Sequence, residues 1–162
     1  MDHWELESAW YGPIDFRRVL ERNFTASMQD VNYGLYVWGA TRGDQYRTLY
    51  VGKSHDPKAR QQDHLNGPLG ERCQRIAEQR WKVEFWMGHL SMDELPRVRS
   101  YEALAEMAMT AAEKCLIYYL QPRWNRRDSG YIELDRGIRL TNTGRTPPNL
   151  GHVIRLNAGL HV

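Results

Sequence analysis

Two short strings, Gly34-Leu35-Tyr36 and Tyr50-Val51-Gly52, each place a glycine beside a tyrosine in a segment that favours β-strand. The segments 33–40 and 46–52 are rich in aromatic and β-branched residues. Between them, "TRGDQ" has the composition of a turn. We therefore predict an antiparallel hairpin, so at least part of the core should form around a sheet.

Helical patterns follow the hairpin. Ser54 or Asp56 can cap a helix over about 57–65, with Pro57 at its first position. A short helix is expected over 71–80, and a long helix should run from Ser100 to Pro122 because this segment is rich in helix formers.

The remaining segments complete the predicted fold. Residues 81–90 alternate as a third strand, residues 14–23 have helical spacing, and the tail holds strand-like pieces. The order over 31–125 is β-β-α-α-β-α. We predict an α+β fold: a small antiparallel three-stranded sheet flanked by helices, with an N-terminal helix and a β-rich C-terminal addition.

Composition sets broad limits on the class of protein. With 41% hydrophobic and 26% charged residues, the chain of 162 residues should form one folded core. The net charge is only +2, although the segment from Pro122 to the end has seven arginines against three acids. No apolar stretch reaches membrane-spanning length and no signal peptide is visible. Two cysteines without metal-ligand spacing fit a reducing cytoplasm.

Three strings in order, "GLYVWGA", "LYVGKSHDPKARQQDHL" and "EKCLIYYLQPRWN", resemble the GIY-YIG nuclease superfamily. Within this superfamily the chain resembles the restriction-endonuclease branch most, because an arginine, a histidine, a glutamate and an asparagine recur there in the same order. The resemblance implies a nuclease core over 31–127, in which 65–112 is longer than in minimal members. It leaves 1–30 as an N-terminal extension and 128–162 as an addition that could contact DNA.

The resemblance also implies roles for side chains. Glu113 is the sole protein ligand of Mg²⁺ or Mn²⁺, and a hard carboxylate oxygen suits either ion. Tyr36 is the general base and Tyr50 orients water or phosphate, and which tyrosine does which job stays open. Nearby cations or the metal would lower the pKa of the base. The implied catalytic set is Tyr36, Tyr50, Lys53, Arg60, His64, Glu113 and Asn125. Phosphate contacts are expected from Arg60, Arg123, Arg126 and Arg127.

Each residue also has an ordinary structural interpretation. Glu113 could be a helix-surface glutamate, His64 a structural histidine, and Asn125 a helix cap or turn residue. The tyrosines could be strand aromatics at the rim of a core. Arg60 could pair with Asp56 or Asp63 on its own helix.

We therefore expect a divalent-metal-dependent endonuclease that hydrolyses DNA, of a restriction or phage-defence type. The substrate would be double-stranded and the enzyme a homodimer, because cutting both strands needs two active sites or a reorientation. Two alternatives stay open. One is a catalytically silent nucleic-acid-binding module, and the other is a nuclease that acts on single-stranded DNA or RNA.

Overall fold

The fold is that of a computed structural model, which describes residues 3–20, 33–91, 101–125 and 132–161. The described residues form eight strands and four helices. In chain order they are β1 (His3–Asp15), α1 (Phe16–Leu20), β2 (Gly34–Arg42), β3 (Gln45–Ser54), α2 (Pro57–Leu65), α3 (Pro68–Glu78), β4 (Lys82–Ser91), α4 (Tyr101–Leu120), β5 (Ile132–Leu134), β6 (Gly137–Gly144), β7 (Val153–Leu156) and β8 (Gly159–His161).

One curled sheet dominates the fold. Its six strands lie in the order β3-β2-β4-β1-β6-β7, and β5 pairs with β8 in a separate two-stranded sheet. All neighbouring pairs of the large sheet are antiparallel except β1 and β6, which are parallel. β3 is therefore an edge strand.

Helices cover both faces of the sheet. On one face α4 packs its small and apolar residues, including Ala108 and Ala112, against Leu35, Val37 and Val51. We call this the α4 face. On the other face, Phe16 and Val19 of α1 and residues of α3 pack against strand aromatics, and we call this the α2 face. Alternation along a strand sends successive side chains to opposite faces, so Tyr36 lies on the α2 face and its neighbours on the α4 face.

The predicted hairpin is confirmed as β2 and β3, with Gly34 paired with Ser54 and Arg42 with Gln45. The predicted third strand is β4, which pairs antiparallel with β2. The helices predicted over about 57–65 and from Ser100 to Pro122 are confirmed as α2 and α4. Local patterns were sufficient for these elements because turn residues and periodicity act within a few positions.

The predicted fold class is wrong. The three-stranded sheet is only half of a six-stranded one, because β1, β6 and β7 continue it beyond β4. The N-terminal helix predicted over 14–23 is confirmed in part as α1, residues 14–15 belong to the preceding strand, and 21–23 lie outside the described residues. Residues His3–Asp15 form the longest strand, and the helix described there is Phe16–Leu20.

The N-terminal strand has a physical explanation. Leu6, Ser8 and Trp10 are buried in alternation with exposed Glu5 and Glu7. A serine in the buried set and two acids beside it disguise the alternation in the sequence. The C-terminal strands were predicted, but their partner was not, because the parallel pairing of β6 with β1 joins residues far apart in the chain.

Within the part of the chain that the structure describes, no helix is long and apolar enough to cross a membrane.

Candidate active site

The ring of Tyr36 crosses the edge strand at a glycine. Tyr36 on β2 pairs with Gly52 on β3, and a Cβ atom at position 52 would overlap Cζ and the hydroxyl of Tyr36. The bare backbone of Gly52 therefore lets the phenol lie across β3 toward α2. Tyr36 is only 1% exposed, so its hydroxyl depends on protein partners.

Helix α2 supplies the partner of the phenol. The hydroxyl of Tyr36 lies 2.7 Å from Nε2 of His64. The imidazole also packs edge-on to Tyr50, with 5.5 Å between ring centroids. Asp56 caps the helix by accepting from the backbone N–H of Ala59 at 3.0 Å, and Pro57 stands in its first turn. The cap fixes where the helix begins, and the helical repeat then brings His64 over the tyrosines.

A buried glutamine sets the rotation of α2 on the sheet. Gln61 is fully buried and accepts a hydrogen bond of 2.9 Å from the indole N–H of Trp38. Gln61 lies between Pro57 and Leu65 at a spacing of one turn each way, so it occupies the inward stripe of the helix. The sequence interpretation missed this residue. Its position on the stripe of Pro57 and Leu65 was the signal that could have found it.

Arg60 and Glu113 both act on the phenol of Tyr36. Burial chiefly raises the pKa of Tyr36, and the charges of Tyr50 and Glu113 raise it further. A hydrogen bond and the positive charge of Arg60 oppose this rise in the pKa. The cationic side chains of the protein therefore do not by themselves lower the pKa of Tyr36 as expected, because burial outweighs Arg60.

The pKa of His64 is shifted in the direction opposite to that of Tyr36. Burial, and then the charge of Arg60, lower the pKa of His64 from its ordinary 6.5, while Asp63 acts the other way. At neutral pH the imidazole is therefore uncharged and can accept a proton at Nε2. A phenol that keeps its proton beside an imidazole that lacks one forms a proton-transfer pair, with the phenol as donor.

Glu113 reaches this group from the other face of the sheet. It is half-buried on α4, which packs beside the edge strand β3. Its carboxylate is close enough to the phenol to raise the pKa of Tyr36. Two strands, β2 and β3, and two helices, α2 and α4, thus bring five of the predicted residues together. These residues are Tyr36, Tyr50, Arg60, His64 and Glu113.

Asn125 holds the end of α4 against the same strand. Its side-chain carbonyl accepts from the N–H of Val51 at 2.9 Å, and its amide donates to the carbonyl of Val51 at 2.8 Å. The backbone N–H groups of Arg123 and Trp124 donate to the carbonyls of Thr48 and Leu49. The segment 123–125 therefore covers part of the open edge of β3, and Asn125 clamps the backbone of this strand between Tyr50 and Gly52.

Lys53 lies elsewhere. It forms an ion pair with Glu106 of α4, and His55 joins this carboxylate at 2.8 Å. Lys53 follows Gly52 on the strand, so its side chain leaves from the opposite face to Tyr50. The structure thus separates Lys53 from the group around Tyr36. Of the predicted phosphate contacts, Arg123 is exposed beside β3, whereas Arg126 and Arg127 lie outside the described residues.

The donor atoms fit a divalent cation that the substrate helps to bind. Within the described residues there is no group of three or more histidine, cysteine or acidic side chains that could hold a metal by itself. Glu113 offers one hard carboxylate near the phenol. Mg²⁺ commonly takes one or two protein carboxylates and completes its shell with water and phosphate oxygens, so a single glutamate is compatible with it.

No protein-family model matches the chain, and no curated protein and no solved structure match it. Inference about function therefore depends on the site and on the motifs of the sequence.

Proposed function

We propose that the protein is a divalent-metal-dependent endonuclease of the GIY-YIG type that hydrolyses phosphodiester bonds in DNA. The observation that carries the proposal is the contact of 2.7 Å between the hydroxyl of Tyr36 and Nε2 of His64, with Arg60 and Glu113 beside it. If these side chains were only helix-surface residues or aromatics at the rim of the core, nothing would require them to lie in contact. The three strings that suggested a nuclease contribute the same residues.

The proton path uses both members of the pair. An attacking water gives its proton to the oxygen of Tyr36 as the phenol gives its own proton to Nε2 of His64. The oxygen of the water forms a bond to phosphorus, and the bond from phosphorus to the leaving oxygen breaks. The leaving oxygen takes a proton from a solvent water molecule, so the products are a phosphate monoester and a hydroxyl end. Tyr36 acts as a relay, so its raised pKa is no obstacle, and His64 is the final proton acceptor.

The charges of the site favour the transition state. Arg60 can bind two phosphate oxygens through its planar guanidinium. A phosphate on Arg60 also neutralises the charge that lowers the pKa of His64, so bound substrate makes the imidazole a better proton acceptor. Glu113 would hold the cation, which supplies charge stabilisation for the phosphate and the leaving oxygen. Tyr50 packs against both Tyr36 and His64 and orients them.

The test is cleavage of supercoiled plasmid with Mg²⁺ by the wild-type protein, Tyr36→Phe, His64→Gln and Glu113→Gln. Loss of general acid–base help costs about 10²- to 10⁴-fold in rate, so each variant should cut at least about a hundredfold more slowly. The exposed Glu102 lies on the same helix, and Glu102→Gln is the matched control, which should cut like wild type. Equal cutting by all proteins would refute the proposal.

Substrate class is tested with the same proteins. Labelled duplex DNA, single-stranded DNA and RNA of one sequence are incubated separately, and we expect the duplex to be cut fastest. Salt-sensitive binding of DNA without cleavage in Mg²⁺ or Mn²⁺ would instead favour the silent binding module. Faster cleavage of RNA or of single strands would favour the other alternative.

A further inference from the structure

We propose that Arg42 and Arg47, stacked on Trp81, form a second phosphate-binding site that holds duplex DNA several nucleotides from the bond that is cut. The inference rests on the proposed function for its substrate, because it extends the binding surface of the same enzyme. Its geometric evidence comes from residues outside the candidate active site.

Two guanidinium groups share one indole ring. Cζ of Arg42 lies 4.7 Å and Cζ of Arg47 lies 4.6 Å from the ring centroid of Trp81. The tryptophan is 6% exposed and packs in the core of the α2 face, whereas both arginines are exposed. The rigid ring therefore fixes two cations at the surface.

This arrangement fits an anion. A guanidinium that rests on an aromatic ring keeps its N–H groups free to donate at the edge, and two oxygens of a phosphate match that edge. Two cations held near each other repel, and a bound anion removes the repulsion. Within the described part of the chain, neither arginine has a carboxylate at ion-pair distance.

Nearby acidic side chains do not neutralise the positive charge of Arg42 and Arg47. Glu84 is bound to Lys82, and both side chains leave β4 on the face opposite to that of Trp81. Asp44 is exposed in the turn between β2 and β3 and is the acid closest in sequence to the two arginines. The exposed Arg80 precedes Trp81 directly and adds to the positive charge of this end of the sheet.

A third arginine connects the stack to the candidate active site. Cζ of Arg72 lies 5.8 Å from the ring centroid of Trp124. The backbone N–H of Trp124 donates to the carbonyl of Leu49, which lies between Arg47 and Tyr50 on β3. Both tryptophans pack against the same core cluster as Tyr36, so the arginine–tryptophan contacts and the active site lie on one face of the sheet.

The spacing suits a nucleic-acid backbone. From Gly52, beneath Tyr36, to Arg47 the strand rises roughly 16 Å at about 3.3 Å per residue. Duplex DNA advances about 3.4 Å per base pair along each strand, so this length corresponds to roughly four to five base-pair steps. A duplex cut at Tyr36 can therefore place another phosphate on the Arg42–Arg47 pair.

The test measures binding without cleavage. Fluorescence anisotropy in EDTA follows wild-type protein and the double variant Arg42→Gln/Arg47→Gln on a labelled duplex of about 20 base pairs. We expect roughly tenfold weaker binding at moderate salt. We also expect the slope of log K against log salt to fall in magnitude by about 0.9, because the pair binds one phosphate and each lost phosphate contact on duplex DNA removes about 0.9. Arg42→Lys/Arg47→Lys keeps the charges, so it should restore the slope.

The chain offers a matched control. Lys82 is exposed on the face opposite to that of Trp81, and Lys114 is exposed on α4, so Lys82→Gln/Lys114→Gln removes the same charge from the other side of the sheet. This variant should bind with a nearly unchanged slope. The inference is overturned if the Arg42/Arg47 variant keeps the wild-type slope, or if the control loses as much.

Failure of the inference and failure of the proposed function are distinguishable. If Tyr36→Phe cuts like wild type, the proposed active site is wrong, yet the binding comparison in EDTA still decides the arginine pair. If the Arg42/Arg47 variant binds normally while Tyr36→Phe is inactive, only the second phosphate site is wrong. Thermal unfolding of each variant excludes loss of fold as the cause.

Discussion

The ring of Tyr36 lies directly over the backbone of Gly52, so any side chain at position 52 must displace the phenol. We expect Gly52→Ala to abolish cleavage, because the hydroxyl would leave Nε2 of His64. Overpacking of this kind typically also lowers stability by about 1–3 kcal/mol. Plasmid cleavage and thermal unfolding measure the two effects.

Gly39 provides the control for this variant, since a Cβ there would overlap the ring of Tyr46 on the α4 face. Gly39→Ala should destabilise the fold by a similar amount and retain much more activity than Gly52→Ala when both are assayed well below their unfolding temperatures. Equal activities of the two variants would show that displacement of Tyr36 does not matter for the reaction.

The neutral imidazole of His64 predicts the pH dependence of activity. Because burial and Arg60 lower the pKa of His64, the acid limb of kcat/KM should have its midpoint below pH 6.5. Under more acidic conditions Nε2 is protonated and cannot accept from Tyr36, so the rate falls. A limb centred above pH 6.5 would contradict the assignment of His64 as proton acceptor.

The same group links pH to stability. The pKa of His64 is lower in the folded protein than in the unfolded chain, so the unfolded chain binds the proton first as the pH falls. The free energy of unfolding should therefore decrease from about pH 6.5 down to the pKa in the folded state. Urea unfolding of wild type and His64→Gln over this range should show a weaker decrease for the variant.

Local patterns predicted most of what surrounds Tyr36. The hairpin, the helix that carries Arg60 and His64, and the long helix of Glu113 are all encoded by turn residues, caps and helix formers within a few positions. The resemblance to a nuclease superfamily then named side chains that these elements do bring together. Lys53 is the exception, because strand alternation directs it away from the neighbouring Gly52 position.

The rest of the sheet could not be predicted in this way. Serine and two glutamates conceal the alternation of β1, and its parallel pairing with β6 joins residues more than a hundred positions apart, as in Trp4 with Ile138. The pKa of Tyr36 likewise depends on burial by distant elements, which the sequence does not display. Contacts that are remote in the chain set both properties.

The position of Lys53 predicts unequal effects of two basic residues. Lys53 is paired with Glu106, whereas Arg60 acts on the phenol of Tyr36. Arg60→Ala should therefore reduce kcat/KM far more than Lys53→Ala, by about tenfold or more. Because the Glu106 side chain is 44% exposed and solvent screens the pair, loss of the ion pair should change stability by no more than about 1 kcal/mol. A larger kinetic loss from Lys53→Ala would return this lysine to the active site.

The buried hydrogen bond between Trp38 and Gln61 predicts a positioning effect. Gln61→Ala leaves the indole N–H of Trp38 buried without its acceptor, which costs about 1–3 kcal/mol. The helix should also lose its fixed rotation, so kcat should fall even though Gln61 does not contact the hydroxyl of Tyr36. Urea unfolding and plasmid cleavage measure the two effects, with the half-buried neighbour Gln62→Ala as control. Similar losses in both variants would argue against a specific role of the buried bond.

The paired hydrogen bonds between Asn125 and Val51 predict how replacements at position 125 differ. Asn125→Ala removes both bonds to the backbone of β3, and Asn125→Asp removes only the donor to the carbonyl of Val51. Each lost bond contributes roughly 1 kcal/mol, and a carboxylate facing a carbonyl oxygen adds repulsion. We therefore expect both variants to unfold at lower urea concentration and to cut more slowly, because the end of α4 that follows Glu113 is no longer held on the edge strand. Hydrogen exchange separates this loss of clamping from a general loss of stability: the amide of Trp124 should become faster in both variants, the amide of Val51 should become faster in Asn125→Ala because only alanine removes its acceptor, and both should remain slow in Gln121→Ala.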